Sequence, residues 1–294
     1  MEQNLDPTVQ RRRLRVELRR ARSDAGLTQR QVAEELGWSP SKLLRIENGQ
    51  VGLSRTDLRA LLDHYRVTDP DRIDQFVKMA QQGRKQTWSS YRDVLNPEFM
   101  IYLGYEGSTS LLRQYEQLFV PGILQTEEYA RAIIQAFAEP NSSQRVIERQ
   151  IEARMLRQTL LERPDAPAMF FILDEAVVRR WVGTEPGDSS IMRRQLARLQ
   201  ELSAKPNLTI QIVPFSQGPH FGMQGSFVVL EFPDPEDDDL LFLDNGRTSY
   251  TTRDDKEEVA VYKESFFCLE DLALRGPATG DHLGRVAREM TSGR

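Results

Sequence analysis

The chain has 294 residues, with 39 Lys and Arg against 44 Asp and Glu, a net charge of −5 at neutral pH and 39% hydrophobic side chains. That length accommodates two domains, or one small module and one large one, and no segment approaches the roughly 20 apolar residues a membrane helix needs. The single cysteine, Cys268, excludes an internal disulfide framework and suits a reducing cytoplasm, the expected location.

The opening stretch MEQNLDPTVQRRRLR is basic but has no apolar run after it, so it does not read as a signal peptide. Charge is unevenly spread. Residues 1–66 carry thirteen basic and nine acidic side chains, a balance of +4 that leaves −9 for the remainder. A phosphate backbone feels such a local cationic field, and the acidic bulk discourages indiscriminate binding.

Residues 11–24 predict an amphipathic helix, with Leu14, Leu18 and Ala21 at helical spacing and Gly26 as a natural stop. Thr28 caps a second helix, with Gln31 placed to complete a capping box and Val32, Ala33 and Leu36 turned inward. Gly37 breaks it. Ser39 then caps a third helix with Pro40 at the favoured first position, and Leu43, Leu44 and Ile46 supply its apolar positions. Asn48-Gly49 ends it, Ser54 caps a fourth helix, and a fifth is expected from about 71 to 82. Helices this short must pack as one bundle. The exposed side of the third then carries Ser41, Lys42 and Arg45, groups that reach base edges and phosphates.

The stretch LTQRQVAEELGWSPSKLLRIENG resembles the helix-turn-helix of the lambda-repressor-like (XRE) regulators, over roughly residues 11–66. The resemblance implies an all-α, five-helix DNA-binding domain over residues 1–82. It places DNA contacts at Thr28, Gln29, Ser39, Pro40, Ser41, Lys42, Arg45, Asn48 and Arg55, and a structural ion pair between Arg22 and Glu47. Pro40 departs from the usual polar residue and cannot hydrogen-bond a base, so readout is expected to rest on Ser41, Lys42 and Arg45. One such module makes few contacts, and specific operators need two copies about one helical turn apart. A homodimer on double-stranded DNA is therefore expected.

Residues 83–90 are polar and read as a linker. Beyond them, residues 104–119 predict a helix, VPGILQTEEYARAII a turn followed by a helix, and 141–161 a longer helix capped by Asn141 or Ser142. AMFFIL, NLTIQIVP, GSFVVLEF and DLLFLD read as strands, with helices over DEAVVRRWV, SSIMRRQLARLQELSA and DDKEEVAVYKESFFCLEDLAL. The expectation is a multidomain chain: an α+β effector and dimerisation domain with a mixed sheet over residues 91–275, then a C-terminal tail over 276–294 that can hold a short helix.

Five ordered motifs in this half, YEQLFVPGILQTEEYARA, RMLRQTLL, FILDEAVVRRWVG, QLARLQELSAKPNLTIQIVPFSQGPH and SFVVLEF, resemble the large C-terminal domain of actinobacterial WhiJ-like regulators. That resemblance implies a DNA-binding regulator, in many cases encoded beside a small partner protein in an antitoxin-like arrangement. Two functions stand side by side. In one, a homodimeric transcription regulator binds a pseudopalindromic operator while the second domain senses a partner protein or an unknown small effector. In the other, an antitoxin-like protein neutralises a small partner and regulates its own synthesis.

Enzymatic activity is not expected. HExxH, CxxC, GxSxG, Walker-type and GxGxxG motifs are all missing from the sequence, which has three histidines. Neither a metal nor a cofactor is expected, and the acidic DPEDDD at 234–239 lacks the spaced oxygens and glycine turn of a calcium loop. His220, between two glycines in a loop between strands, is the most interesting candidate, and His220, Phe221 and Gln125 form the expected ligand pocket. Asp174 and Glu175 follow a strand, where acid–base groups are common, although Asp174 serves equally as a helix cap. Cys268 is expected on the apolar side of its helix.

Overall fold

The computed structural model describes residues 7–47, 53–82, 88–183, 188–232, 238–244, 249–252 and 255–292. The chain divides into two units, Met1–Ser89 and Ser90–Arg294.

In the first unit the helices are α1 (Pro7–Asp24), α2 (Gln29–Glu35), α3 (Pro40–Glu47), α4 (Arg55–His64) and α5 (Pro70–Gln82). Their ends follow from local chemistry. Thr28 and Gln31 form a reciprocal capping box at α2, and the Ser54 hydroxyl accepts from the Asp57 amide at α4. Between α2 and α3 the chain turns at Gly37, whose φ of +65° lies in the left-handed region that favours glycine. Leu14, Leu18, Val32, Leu43, Ile46, Leu58, Leu61 and Phe76, drawn from all five helices, close a single core.

The second unit opens with α6 (Pro97–Glu106), capped by Asn96, and β1 (Leu111–Glu116). Then come α7 (Glu127–Phe137), α8 (Gln144–Arg157), β2 (Ala168–Asp174), α9 (Glu175–Arg179), α10 (Ser190–Leu202), β3 (Leu208–Val213), β4 (Phe227–Glu231), β5 (Leu240–Asp244) and β6 (Ser249–Thr252). Helices α11 (Lys256–Leu272) and α12 (Pro277–Ser292) close it. The sheet is mixed, in the order β3-β2-β1-β4-β5-β6, with β1, β2 and β3 parallel and the other pairings antiparallel. Helix α11 covers one face, where Val259, Phe266 and Leu269 pack on Tyr115, Ile172, Phe227, Val229 and Leu241. On the opposite side Tyr102 of α6 stacks on Phe242 with ring centres 4.2 Å apart. Gln195 of α10, fully buried, accepts from the Thr126 amide at 2.7 Å and donates to the Leu124 carbonyl at 2.9 Å, fixing the entry to α7.

Four expectations are corrected. Residues 104–119 are not one helix: α6 stops at Glu106 and the following segment is the central strand β1. Ser110 and the Thr109 hydroxyl both donate to the Glu231 carbonyl and pin the strand start. Buried between two layers of helices, β1 loses the polar–apolar alternation that marks a half-exposed strand. The segment expected as a tail, with a short helix as one possibility, carries the 16-residue helix α12, which packs on α10 and buries Leu283, Val286 and Met290. Helix α8 is capped by Ser143, not Asn141 or Ser142, and gives way to a 3-10 turn at Gln158. Cys268 is exposed, with Phe266 and Leu269 taking the buried positions around it. Most of DPEDDD and all of Asn48 lie outside the described residues.

Candidate nucleic-acid interface

Helix α3 divides its eight residues cleanly. Leu43, Ile46 and Glu47 are buried, and Ser41, Leu44 and Arg45 face outward. The spacing i, i+3, i+4 puts these three on one stripe. Leu44, expected at an apolar position of the helix with Leu43 and Ile46, is 45% exposed. The 3.6-residue period forces this: a helix burying 43, 46 and 47 must turn 44 outward.

The buried end of α3 is held by Glu47, 1% exposed. Arg22 of α1 donates to it twice, Nε to Oε1 at 2.8 Å and Nη2 to Oε2 at 3.1 Å, and its remaining Nη1 donates to the Leu27 carbonyl at 2.9 Å. Gln29 Nε2 donates to the same carboxylate at 2.7 Å. One buried carboxylate thus ties α1, the start of α2 and the end of α3 together.

Lys42 is paired within the domain, though about a third of its side chain stays exposed. Its amine lies 2.8 Å from Asp57 Oδ1 on α4 and 3.7 Å above the Trp38 ring. Burial pushes the Asp57 carboxyl up, but hydrogen bonds from Lys42 and Ser54 outweigh that and hold it below the usual carboxylate range. Lys42 therefore clamps α3 onto the start of α4 and does not stand on the outward stripe with Ser41. The side chain of Thr28 is likewise engaged, its hydroxyl donating to Gln31 Oε1 at 2.8 Å. Ser39 caps α3, its Oγ accepting from the Lys42 amide at 3.2 Å, and Pro40 is exposed at the first position. Arg45 is different. Only its Nε is used, donating to the Ser41 carbonyl at 3.1 Å, which leaves the guanidinium end without a partner among the described residues. Arg55 is exposed at the first position of α4, also without a partner among the described residues. The outward side chains are then Ser41, whose hydroxyl lies 3.2 Å from that of Ser39, with Leu44 and Arg45 on the stripe and Arg55 at its flank, while Gln29 is held by Glu47.

The second unit gathers its own polar residues at the carboxyl end of β1 and β2. His220, 6% exposed, has Nε2 3.5 Å from Asp174 Oδ2, the same oxygen that Tyr115 approaches at 3.4 Å, while its Nδ1 has no partner among the described residues. Asp174 also caps α9 by accepting from the Ala176 amide. Glu175 is pushed up by burial, but Arg179, the Phe215 amide and His282 together hold its carboxyl below the ordinary range. Burial lowers the His282 imidazole, outweighing the attraction of Glu175. Gly222 is required here, since a Cβ would come within 2.3 Å of the Tyr115 ring. Phe221 packs against Phe227 and Tyr262, and Gln125 is buried elsewhere, donating to the Val120 carbonyl and accepting from Arg154. The structure does not assemble His220, Phe221 and Gln125 into one pocket. Two open grooves are lined by Tyr91, Glu127, Arg131 and Glu148 beside α7 and α8, and by Thr252, Asp255 and Lys256 at the start of α11.

Deeper in this unit, Arg157 and Glu106 form a buried pair, with Arg157 Nε donating to Glu106 Oε2 at 2.7 Å and the Tyr102 hydroxyl donating to Oε1 at 2.7 Å. Burial pushes the Glu116 carboxyl up to about 7, against hydrogen bonds from Ser226 and Gln114.

Among the described residues no helix is long and apolar enough to cross a membrane, and no group of three or more His, Cys, Asp or Glu is arranged to hold a metal ion. No curated protein and no solved structure matches the chain. Residues 13–76 match the family model of a helix-turn-helix domain, which supports DNA binding by the first unit. Residues 99–285, more than half of the 294, match a domain of unknown function, DUF5753. The chain therefore belongs to the DUF5753 family, and it joins that domain to a helix-turn-helix domain.

Proposed function

We propose that this protein is a sequence-specific transcriptional regulator that binds a pseudopalindromic operator as a homodimer, its second unit providing the dimer contact and sensing a partner protein or small ligand. The observation that carries this reading is the outward stripe of α3. Ser41, Leu44 and Arg45 are exposed on a helix whose other face is locked by Glu47 and Lys42, in a domain that matches a helix-turn-helix model. A rigid helix with free hydrogen-bonding and apolar side chains is what major-groove readout needs. Two copies are required because one helix of this size contacts too few bases for specificity. The acidic remainder of the chain keeps non-specific binding low, so affinity for random DNA is weak and strongly salt-dependent. The likeness of the second unit to WhiJ-like regulators supports the same role and a cytoplasmic, nucleoid-associated location.

The test is selection of duplexes from a randomised pool by the full-length protein, with its mass measured alone and on the selected DNA. The expected result is an inverted repeat with half-sites about one helical turn apart, bound by two chains. Failure to enrich any sequence contradicts DNA recognition. Enrichment of a single unrepeated site by one chain contradicts the homodimer.

A further inference from the structure

Leu44 is the apolar side chain of the α3 stripe and stands outside the domain's core cluster. It is 45% exposed, while Leu43 beside it is fully buried. Scattered exposed leucines need no explanation on most surfaces. This one stands between Ser41 and Arg45, at the middle of the helix that the proposed function lays in a groove. The major-groove edges of base pairs are mostly donors and acceptors, and the C5 methyl of thymine is the one methyl group that projects among them. An isobutyl side chain set against any other edge removes water from a polar group and returns no hydrogen bond. Lys42, the other long side chain near this face, is withdrawn to Asp57 and Trp38, so it does not compete for the same base.

The positions along the helix set the neighbour as well. Leu44 and Arg45 differ by about 1.5 Å in rise, well under one base-pair step of roughly 3.4 Å. Ser41 precedes Arg45 by about one turn, roughly 6 Å. Arg45, with its guanidinium end unpartnered, matches the O6 and N7 acceptors of guanine. Resting on the DNA-binding reading above, we infer that Leu44 is a specificity-determining residue, selecting a thymine through its C5 methyl in each half-site, one step or less from the guanine read by Arg45.

The experiment uses the full-length protein and the duplex enriched from a randomised pool, with each thymine replaced in turn by deoxyuridine, which removes the methyl and nothing else. For the wild type, one thymine per half-site should lose about fourfold in affinity on this replacement, the worth of one buried methyl group. Leu44→Ala should bind the thymine and deoxyuridine duplexes equally, and Leu44→Met should keep a preference for thymine. Since Leu44 is exposed, Leu44→Ala should melt at the wild-type temperature, which separates lost readout from lost folding. Placing 5-methylcytosine in that position of the deoxyuridine duplex, paired with guanine, should restore part of the affinity for the wild type and none for Leu44→Ala. If no thymine shows the effect, or if Leu44→Ala shows it undiminished, the assignment is overturned while DNA recognition stands. If no duplex is enriched at all, the DNA-binding reading fails and the inference falls with it.

Discussion

The outward stripe of α3 and the carboxyl end of the sheet are both rich in polar side chains, and they use them in opposite ways. On α3 the anchoring is done from behind, by Arg22, Gln29 and Asp57, and the guanidinium end of Arg45 is left with no partner among the described residues. At the sheet end, Asp174 and Glu175 are consumed by the Ala176 and Phe215 amides, Tyr115 and Arg179, and His220 and His282 lie within 3.5 Å of them. At the sheet end the ring nitrogens His220 Nδ1 and His282 Nε2 stay buried without a hydrogen-bond partner among the described residues, whereas the unspent donors of Arg45 stand on an exposed helix face.

The largest effects should come from breaking a network that holds a fold. Arg157→Met would strand Glu106, 2% exposed, without its partner, and should destabilise the second unit by about 3–5 kcal/mol in a calorimetric melt. The first unit's transition should stay where it was. A smaller loss, about 2–3 kcal/mol, is expected for Glu47→Ala, because Arg22 is 17% exposed and recovers some water. Here the first unit alone should melt earlier, and DNA binding should fail on heating before the second unit unfolds.

Glu116 sharpens the comparison through pH. Its carboxyl titrates near 7 in the fold against an ordinary 4.5, so the folded chain holds the extra proton between those values. Stability from this group is full below about 4.5 and declines as pH rises to about 7. Glu116→Gln should remove that slope and raise stability at neutral pH by about 1–3 kcal/mol, read as melting temperature across the same range. An unchanged slope in the variant would show that another group carries it.

The smallest effect belongs to the flank of the recognition surface. Arg55→Ala should weaken enriched and random duplexes alike and reduce the slope of log affinity against log salt by about one. A loss confined to the enriched sequence would move Arg55 from the backbone to a base.

The first unit was largely legible because its signals are local. Thr28, Gln31, Gly37 and Ser54 mark helix ends through bonds within three residues or through one dihedral angle. What escaped there depends on contacts far along the chain. Lys42 has the spacing of a base reader, and its pairing with Asp57, 15 residues away, could not be read from that spacing. Leu44 could have been placed outside from the period alone, since Leu43, Ile46 and Glu47 leave it no room on the buried side. In the second unit Leu111, Leu112 and Tyr115 mimic helical spacing, and only pairing with both β2 and β4 makes that segment a strand. Helix α12 carried its pattern openly in Leu283, Val286 and Met290, but Gly280 and Gly284 disguised it as a tail. The site at His220, Phe221 and Gln125 rested on loop position, which fixes neither which way a ring faces nor what fills the space beside it.

The central claim is that α3 reads sequence through side chains held rigid from behind, and Arg45→Ala tests it most directly. Affinities of wild type and variant should be compared on the enriched duplex and on a scrambled one at the same salt concentration. The predicted result is a loss of about 1–3 kcal/mol on the enriched duplex, a much smaller loss on the scrambled one, and relaxed preference at a single position of each half-site. An equal loss on both duplexes would contradict the account.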